Sequence, residues 1–215
     1  MSEENWLRFS KTTKYAVIDT ETFNLGLTFQ TNRPWQVAAL QVVGETIQKE
    51  VNCFVKWEDC KFKIGDGAAF VNHFNQHEFD SKCISPDDAF PQFWPLLKWA
   101  DRIIWHNGLR FDMYMLKGYA EFMGEDWSFI LPKVIDTKAV AQGIKLGRPY
   151  QPSQDNWIDY QYRMASDHTK GIKTNLTTLG KEFAIPFDYE TLHDGVNDCR
   201  LNLLVWNKLK YQLEL

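Results

Sequence analysis

Lys14-Tyr15-Ala16-Val17-Ile18-Asp19-Thr20, continued by Glu21 and Thr22, is an apolar, partly β-branched run that ends in two acids. Its length and composition predict a buried strand, with Thr22–Leu25 leaving it as a loop. Side chains alternate along a strand, so Asp19 and Glu21, two apart, share one face of the sheet. Two neighbouring carboxylates repel unless a cation neutralises them. Alone, the pair also fits a strand end with solvated acids, because Asp-x-Glu recurs easily in a chain with 28 acidic residues.

Outward from this strand, Trp35–Val43 and Ile47–Val55 are two more predicted strands around a turn at Gly44-Glu45, which makes an antiparallel meander. Ser85-Pro86-Asp87-Asp88 opens a helix continuing through Phe90, Phe93, Trp94, Leu96 and Leu97, with Asp87 and Asp88 as first-turn acids. Arg102–Trp105 reads as a short strand and Leu109–Met123 as a helix, with Asn107-Gly108 as the turn and Phe111 anchoring the helix on the sheet. Val134-Ile135 has strand character, and Asp136 or Thr137 caps a helix through Ala141. Leu176–Phe183 and Asp194–Leu209 close the chain as helices. Three strands followed by alternating strands and helices predict an α/β fold, a mixed sheet flanked by helices. Residues 147–175 are polar, contain Pro149 and Pro152, and show no convincing period before Asn175. That is long for a loop in a compact domain and predicts a functional or mobile insertion.

A chain of 215 residues suits one domain. Hydrophobic residues at 44% and nine Trp supply a large core, with Trp35 or Trp57 expected at the surface. No stretch reaches the ~18 consecutive apolar residues of a membrane span. The start, Met-Ser-Glu-Glu-Asn, lacks the character of a secretory or mitochondrial leader. Cys53, Cys60, Cys83 and Cys199 form no C-x-x-C pair and read as reduced thiols, so a cytoplasmic location is expected. Net charge is −4, from 24 basic and 28 acidic residues. A passive nucleic-acid binder is usually basic; an enzyme that concentrates carboxylates around metals need not be.

Two further acidic motifs follow the first in fixed order, Asn107–Asp112 and His193–Asp198. Asp112 by itself fits an acid favoured by the helix dipole. His193 and Asp198 are five apart, so on one regular helix they diverge by roughly 140°. They converge only if His193 precedes the helix and Asp198 lies inside it, with Asp194-Gly195 as cap and loosened entry. Together the three motifs supply four carboxylates and one histidine, an inventory that holds two divalent metals and activates a water. His73 and His77 lack a zinc-protease glutamate and a third ligand, and read as a solvated helix face.

Asp19-Thr20-Glu21-Thr22, Asn107-x-x-x-Phe111-Asp112 and His193-x4-Asp198 resemble the three motifs of the DEDDh (DnaQ-like) 3′→5′ exonucleases. This group includes the proofreading epsilon subunit of DNA polymerase III, RNase T and oligoribonuclease. Asp136-Thr137 before a helix, Leu176-x-x-Leu179 and Phe183-Ala184-Ile185 fit the same pattern, so the resemblance spans roughly residues 14–208. The family's tyrosine branch needs Tyr where this chain has Asp194; the histidine branch fits. The resemblance implies an RNase H-like fold with a five-stranded mixed sheet and two Mg2+ or Mn2+ ions. Asp19, Glu21 and Asp198 would hold the first ion, Asp19 would bridge to the second, and Asp112 would assist through water. His193 would be the general base for the attacking water, a role suited to a side chain that titrates near neutrality. Phe23 and Leu25 would pack on the terminal base, with Thr20, Thr22, Asn107 and Phe111 beside it.

The expected activity is removal of nucleoside 5′-monophosphates from single-stranded 3′ ends, on DNA before RNA. The family also brings a polymerase or other replication partner into view, although the lack of an additional tail favours a free-standing enzyme. Rival readings are an inactive nucleic-acid-binding module of the same fold and an RNase H-like endonuclease. Arg163, Lys170, Lys173 and Lys181 against the single acid Asp167, with Tyr160 and Tyr162 alongside, mark residues 160–181 as a candidate strand-binding strip. Lys170 and Lys173, flanking Gly171, are its candidate phosphate contacts.

Overall fold

The computed structural model describes residues 11–59, 63–65, 69, 72 and 74–213. Strands β1 (Lys14–Thr22), β2 (Pro34–Val43) and β3 (Thr46–Phe54) form the expected antiparallel meander. β4 (Arg102–Trp105) and β5 (Val134–Asp136) add in parallel on the other side of β1, giving the order β3-β2-β1-β4-β5. Around the sheet lie helices α1 (Gln76–Lys82), α2 (Pro86–Trp99), α3 (Asp112–Phe122), α4 (Thr137–Lys145), α5 (Trp157–Ser166), α6 (Leu176–Glu182) and α7 (Gly195–Leu209). This is the mixed five-stranded sheet with flanking helices expected of an RNase H-like fold.

β1 is central and covered on both faces, which is why it reads as a continuous apolar run. Tyr15 and Val17 point into a core built with α4, α5 and α7. Ala16 and Ile18 point into the opposite core, built with α2 and α3. By the same alternation Asp19 and Glu21 continue the face of Tyr15 and Val17. Parallel pairing of β1 with β4, and β4 with β5, puts the carboxyl ends of three strands along one edge of the sheet. The motif residues gather at that edge.

Residues 147–175 are not a structureless insertion. Asn156 caps α5, its side chain accepting from the N–H groups of Ile158 and Asp159. Trp157, Tyr160, Gln161, Met164 and Ala165 form the buried stripe of this helix. The helical period was present, but Tyr and Gln at two of its core positions disguised it as polar. Gln161 lies against β5, an edge strand: its Oε1 accepts from Asp136 N–H at 2.6 Å and its Nε2 donates to the Val134 carbonyl at 3.1 Å. Trp157 Nε1 donates to the same carbonyl at 2.7 Å. A side chain thus stands in for a sixth strand and covers the edge.

Other expectations need correction. Leu109–Met123 is not one helix; a 3-10 turn at Gly108–Arg110 precedes α3. Gly108 is required there because a Cβ would come within 2.2 Å of the Trp105 ring. Phe111 is only partly buried and belongs to neither core, whereas Leu109 on the inward side of the turn is the anchor. Asp136, not Thr137, caps α4, which runs on to Lys145. Trp35 and Trp57 are both buried, and Trp57 donates to the Pro34 carbonyl at 2.7 Å. His77 is exposed on α1 and Cys53, Cys83 and Cys199 are free thiols, while His73 and Cys60 lie outside the described residues. Among the described residues no helix is long and apolar enough to cross a membrane.

Gln161→Ala should destabilise the fold by about 1–3 kcal/mol, the usual effect of orphaning buried backbone groups. Urea unfolding measures it; a midpoint equal to that of the parent chain would return 157–166 to the status of a loosely attached segment.

Candidate active site

Asp19 and Glu21, both partly buried, sit at the carboxyl end of β1. Between them Thr20 faces the other way and is 6% exposed; its N–H and its hydroxyl both donate to Asp112 Oδ1, at 2.9 and 2.6 Å. The first and second motifs are therefore tied directly. Asp112 is the first residue of α3 and is 5% exposed. Its turn is fixed from β5: Asp136 accepts from Asn107 N–H on one oxygen and Leu109 N–H on the other, each at 3.0 Å.

The third motif converges by the route the spacing required. His193 lies before α7 in the left-handed region, with φ 69°, a conformation uncommon for a non-glycine residue. Its N–H donates to Asp198 Oδ2 at 2.9 Å, folding the segment back on the first turn of the helix. Gly195 serves close approach rather than loosening. A Cβ there would stand 2.9 Å from Ala38 Cβ and 3.6 Å from Asp19 Oδ2, so only glycine lets α7 begin directly over β1 and β2.

One nitrogen of His193 and one carboxylate oxygen each of Glu21 and Asp198 lie within 4.8 Å of one another, close enough to share a cation. His193 is the exposed member of the three. That trio contains the histidine expected as a base, and neither Asp19 nor Asp112.

A fifth acid, Asp194, also belongs to the cluster. Its side chain does not cap α7; it accepts from Gln36 Nε2 at 3.3 Å and from Asn197 Nδ2 at 2.9 Å. Gln36 donates in turn to Asn52 Oδ1 at 2.9 Å. Adjacency to His193 was the only signal for Asp194, and a helix-entry Asp reads first as a cap.

The candidate substrate residues divide. Thr20 and Thr22 are turned into the protein, Thr22 donating to the Asn24 carbonyl at 2.7 Å. Phe23 is partly buried against the α2–α3 core. Leu25 is 87% exposed at the tip of a loop stiffened by Asn32, whose Nδ2 donates to the carbonyls of Asn24 and Gly26 at 2.7 and 2.9 Å. Asn107, with φ 68°, accepts from Lys138 Nζ on its side chain. Tyr160 is buried, its hydroxyl donating to the Arg148 carbonyl at 3.1 Å, so it offers no stacking face. Lys170 is exposed, and Lys173 lines a cleft beside Asn107.

No family model matches the chain, and no curated protein matches it by sequence. Solved structures match in shape. Exonuclease I, in a structure said to suggest how processivity is achieved, superposes with a TM-score of 0.69 at 18% identity, over 90% of this chain and 40% of that one. E. coli exonuclease I with a dA16 oligonucleotide gives 0.68 at 18% identity, over 90% and 40%. The zinc-ion-bound complex of E. coli ExoI with single-stranded DNA gives 0.68 at 17% identity, over 90% and 39%. At such identity the likeness shows the fold. The chain spans about 40% of the length of exonuclease I.

The electrostatics fit a cation at the end of β1. Burial, then Asp112, Asp198, Glu21 and Asp194, pushes the Asp19 carboxyl well up. Burial with Asp198, Asp112 and Asp194 raises Glu21 to about 8. Burial raises Asp198 to about 7 and Asp112 to about 6, against the hydrogen bonds that hold them ionised. Oxygen-rich donors with uncompensated negative charge suit a hard divalent ion. Each carboxyl has a higher pKa folded than unfolded, so in metal-free protein its contribution to stability is full below about pH 4 and is lost as pH rises through 6–8. The melting temperature in chelator should therefore fall across that range, and Mg2+ or Mn2+ should restore it at pH 8. Asp19→Asn should raise the metal-free melting temperature at pH 8 by about 3 °C or more, since ~1 kcal/mol shifts a chain of this size by ~2–4 °C. A variant that melts lower, with the same pH slope, would show that the acids are not crowded in solution.

Proposed function

We propose that this chain is a divalent-metal-dependent 3′→5′ exonuclease of the DEDDh type, acting on single-stranded ends and releasing nucleoside 5′-monophosphates. The observation that carries the reading is the gathering of Asp19, Glu21, Asp112, Asp198 and His193, from three separate motifs, at one end of β1. The shape shared with exonuclease I, solved with single-stranded DNA oligonucleotides, supports DNA as the first substrate and RNA as the alternative.

Asp19, Glu21, Asp112 and Asp198 are the residues that would hold metal. Bound divalent ions lower the pKa of water and stabilise the charge that develops on the attacking and leaving oxygens. His193, exposed beside Glu21 and Asp198, takes one proton from the attacking water. The water oxygen bonds to phosphorus, the bond from phosphorus to the 3′ oxygen of the penultimate nucleotide breaks, and that oxygen takes a proton from solvent. Leu25, displayed on its braced loop, offers an apolar contact to the terminal base. The left-handed backbone at His193 supports its assignment, since strain of this kind clusters at functional positions.

Oligonucleotides of DNA and RNA labelled at the 5′ end, incubated with Mg2+ or Mn2+, should give a ladder shortened from the 3′ end, while a closed circular single strand stays intact. Nicking of the circle would favour the endonuclease reading. Asp112→Ala should reduce turnover by orders of magnitude. His193→Ala should lower the rate by about 10²–10⁴-fold, the range for loss of a general base, with metal affinity by calorimetry nearly intact. Metal affinity lost in step with activity would make His193 a ligand instead.

A further inference from the structure

Beyond the carboxylates, the same edge of the sheet carries a second feature. At the carboxyl ends of β4 and β5 a cleft of about 570 Å³ opens between the Asn107–Arg110 turn, α4 and the segment from Met164 to Asn175. Three of its side chains are cations: Arg110, Lys138 and Lys173. None of them is ion-paired with an acid among the described residues. The one acid on its wall, Asp167, is engaged elsewhere: Oδ1 accepts from the N–H and hydroxyl of Thr169, and Oδ2 lies 3.7 Å from Arg148. The cleft is thus net positive in a chain of net charge −4.

Two of these cations are braced. Arg110 Nη1 donates to the Ala165 carbonyl at 3.0 Å and to His168 Nε2 at 3.2 Å. Lys138 Nζ donates to Asn107 Oδ1 at 3.1 Å. The segment bearing Lys173 is fixed through its carbonyl, which accepts from Lys145 Nζ at 2.5 Å. Adjacent strands are ~4.8 Å apart, so β5 lies roughly 10 Å from β1, and the cleft neighbours the acidic cluster along the strand ends where ligands of open α/β sheets gather.

We propose that this cleft is an anion site that holds a backbone phosphate of the single strand, upstream of the nucleotide being removed. The proposal rests on the exonuclease reading for its direction but on its own cations for its chemistry. Arg110 presents a planar fork of donors to the phosphate, and Lys138 and Lys173 add point charges. Lys138 also touches Asn107, so the cleft adjoins the turn that leads to Asp112. A strand seated there runs along the sheet edge toward the carboxylates. The same chemistry would accept a free phosphate or a released mononucleotide, and the test separates these sources.

Anisotropy of a fluorescent oligothymidylate in EDTA, where no cleavage occurs, measures binding across a salt series. Lys138→Gln with Lys173→Gln should weaken affinity about tenfold and reduce the log–log salt slope by about 0.7, the contribution of one single-strand phosphate contact. Lys138→Arg with Lys173→Arg should retain the slope, which excludes a folding defect. Unaltered affinity and slope in the glutamine variant overturns the proposal. So does equal oligonucleotide binding by both proteins when inorganic phosphate or thymidine 5′-monophosphate raises the melting temperature of the parent alone, because the site then serves a free anion. Digestion of a 5′-labelled strand by the parent chain with Mg2+ runs in parallel. No shortening, with the slope change present, sinks the exonuclease reading and leaves the cleft; shortening with no slope change does the reverse.

Discussion

Four carboxylates crowded at the end of one strand repel one another, at ~4 kcal/mol for a pair 4 Å apart in a protein-like dielectric. The rest of the molecule is arranged around that constraint. Among the described residues, no lysine or arginine is ion-paired with Asp19, Glu21, Asp112 or Asp198. The hydrogen bonds that hold them come instead from neutral groups: Thr20 to Asp112 and the His193 N–H to Asp198. Acids kept for structure alone are usually met by a cation of the same chain. Here neutral donors fix the geometry and no lysine or arginine among the described residues offsets the charge by pairing, which suits the cluster to a cation from outside.

Support for that geometry reaches across the fold. Asp112 is placed by the Asn107–Leu109 turn, which Asp136 holds through two backbone N–H groups while also capping α4. Asp136 is in turn held by Gln161, whose side chain closes the open edge of β5. A helix some 45 positions down the chain from Asp112 thereby sets where the second motif sits. On the other side, Gly195 lets α7 start against Ala38, and Gln36 and Asn197 orient Asp194 beside it. Two independent braces, one through β5 and one through β2, meet at β1.

What the sequence made legible follows from what is local. Period-two spacing placed Asp19 and Glu21 on one face, and five-residue spacing required His193 to stand outside α7; both are consequences of backbone geometry that need no tertiary knowledge. The strands and most helices were readable because their apolar periods are clean. α5 was not, because its buried Gln161 bonds to the backbone of β5, and a polar residue with a buried partner looks like a surface residue until the partner is known. Phe111 reads as the anchor from the motif, whereas the 3-10 turn places Leu109 in the core and leaves Phe111 only partly buried. The place of Asp194 in the cluster, and Arg110 and Lys138 on the cleft, escaped for the same reason, since their meaning lies in neighbours distant along the chain; Lys173 stood out already as part of the basic strip.

The proposed substrate is a polyanion, which an acidic chain would have to meet with a local field, and opposite charges do line one sheet edge in sequence. The acidic cluster at β1 and the basic cleft beside β5 are separated by roughly 10 Å, two strand spacings. The screening length at physiological salt is about 8 Å. Through solvent, each centre therefore senses the other only weakly, so the positive field of the cleft persists although five acids stand nearby. At low salt the screening length grows toward 30 Å and the acids reach the cleft. Below that crossover, neutralising the cluster strengthens the hold of the cleft on an anion, and above it the two act independently. The spacing of the strands, set by backbone hydrogen bonding, thereby sets how far the two charges are coupled.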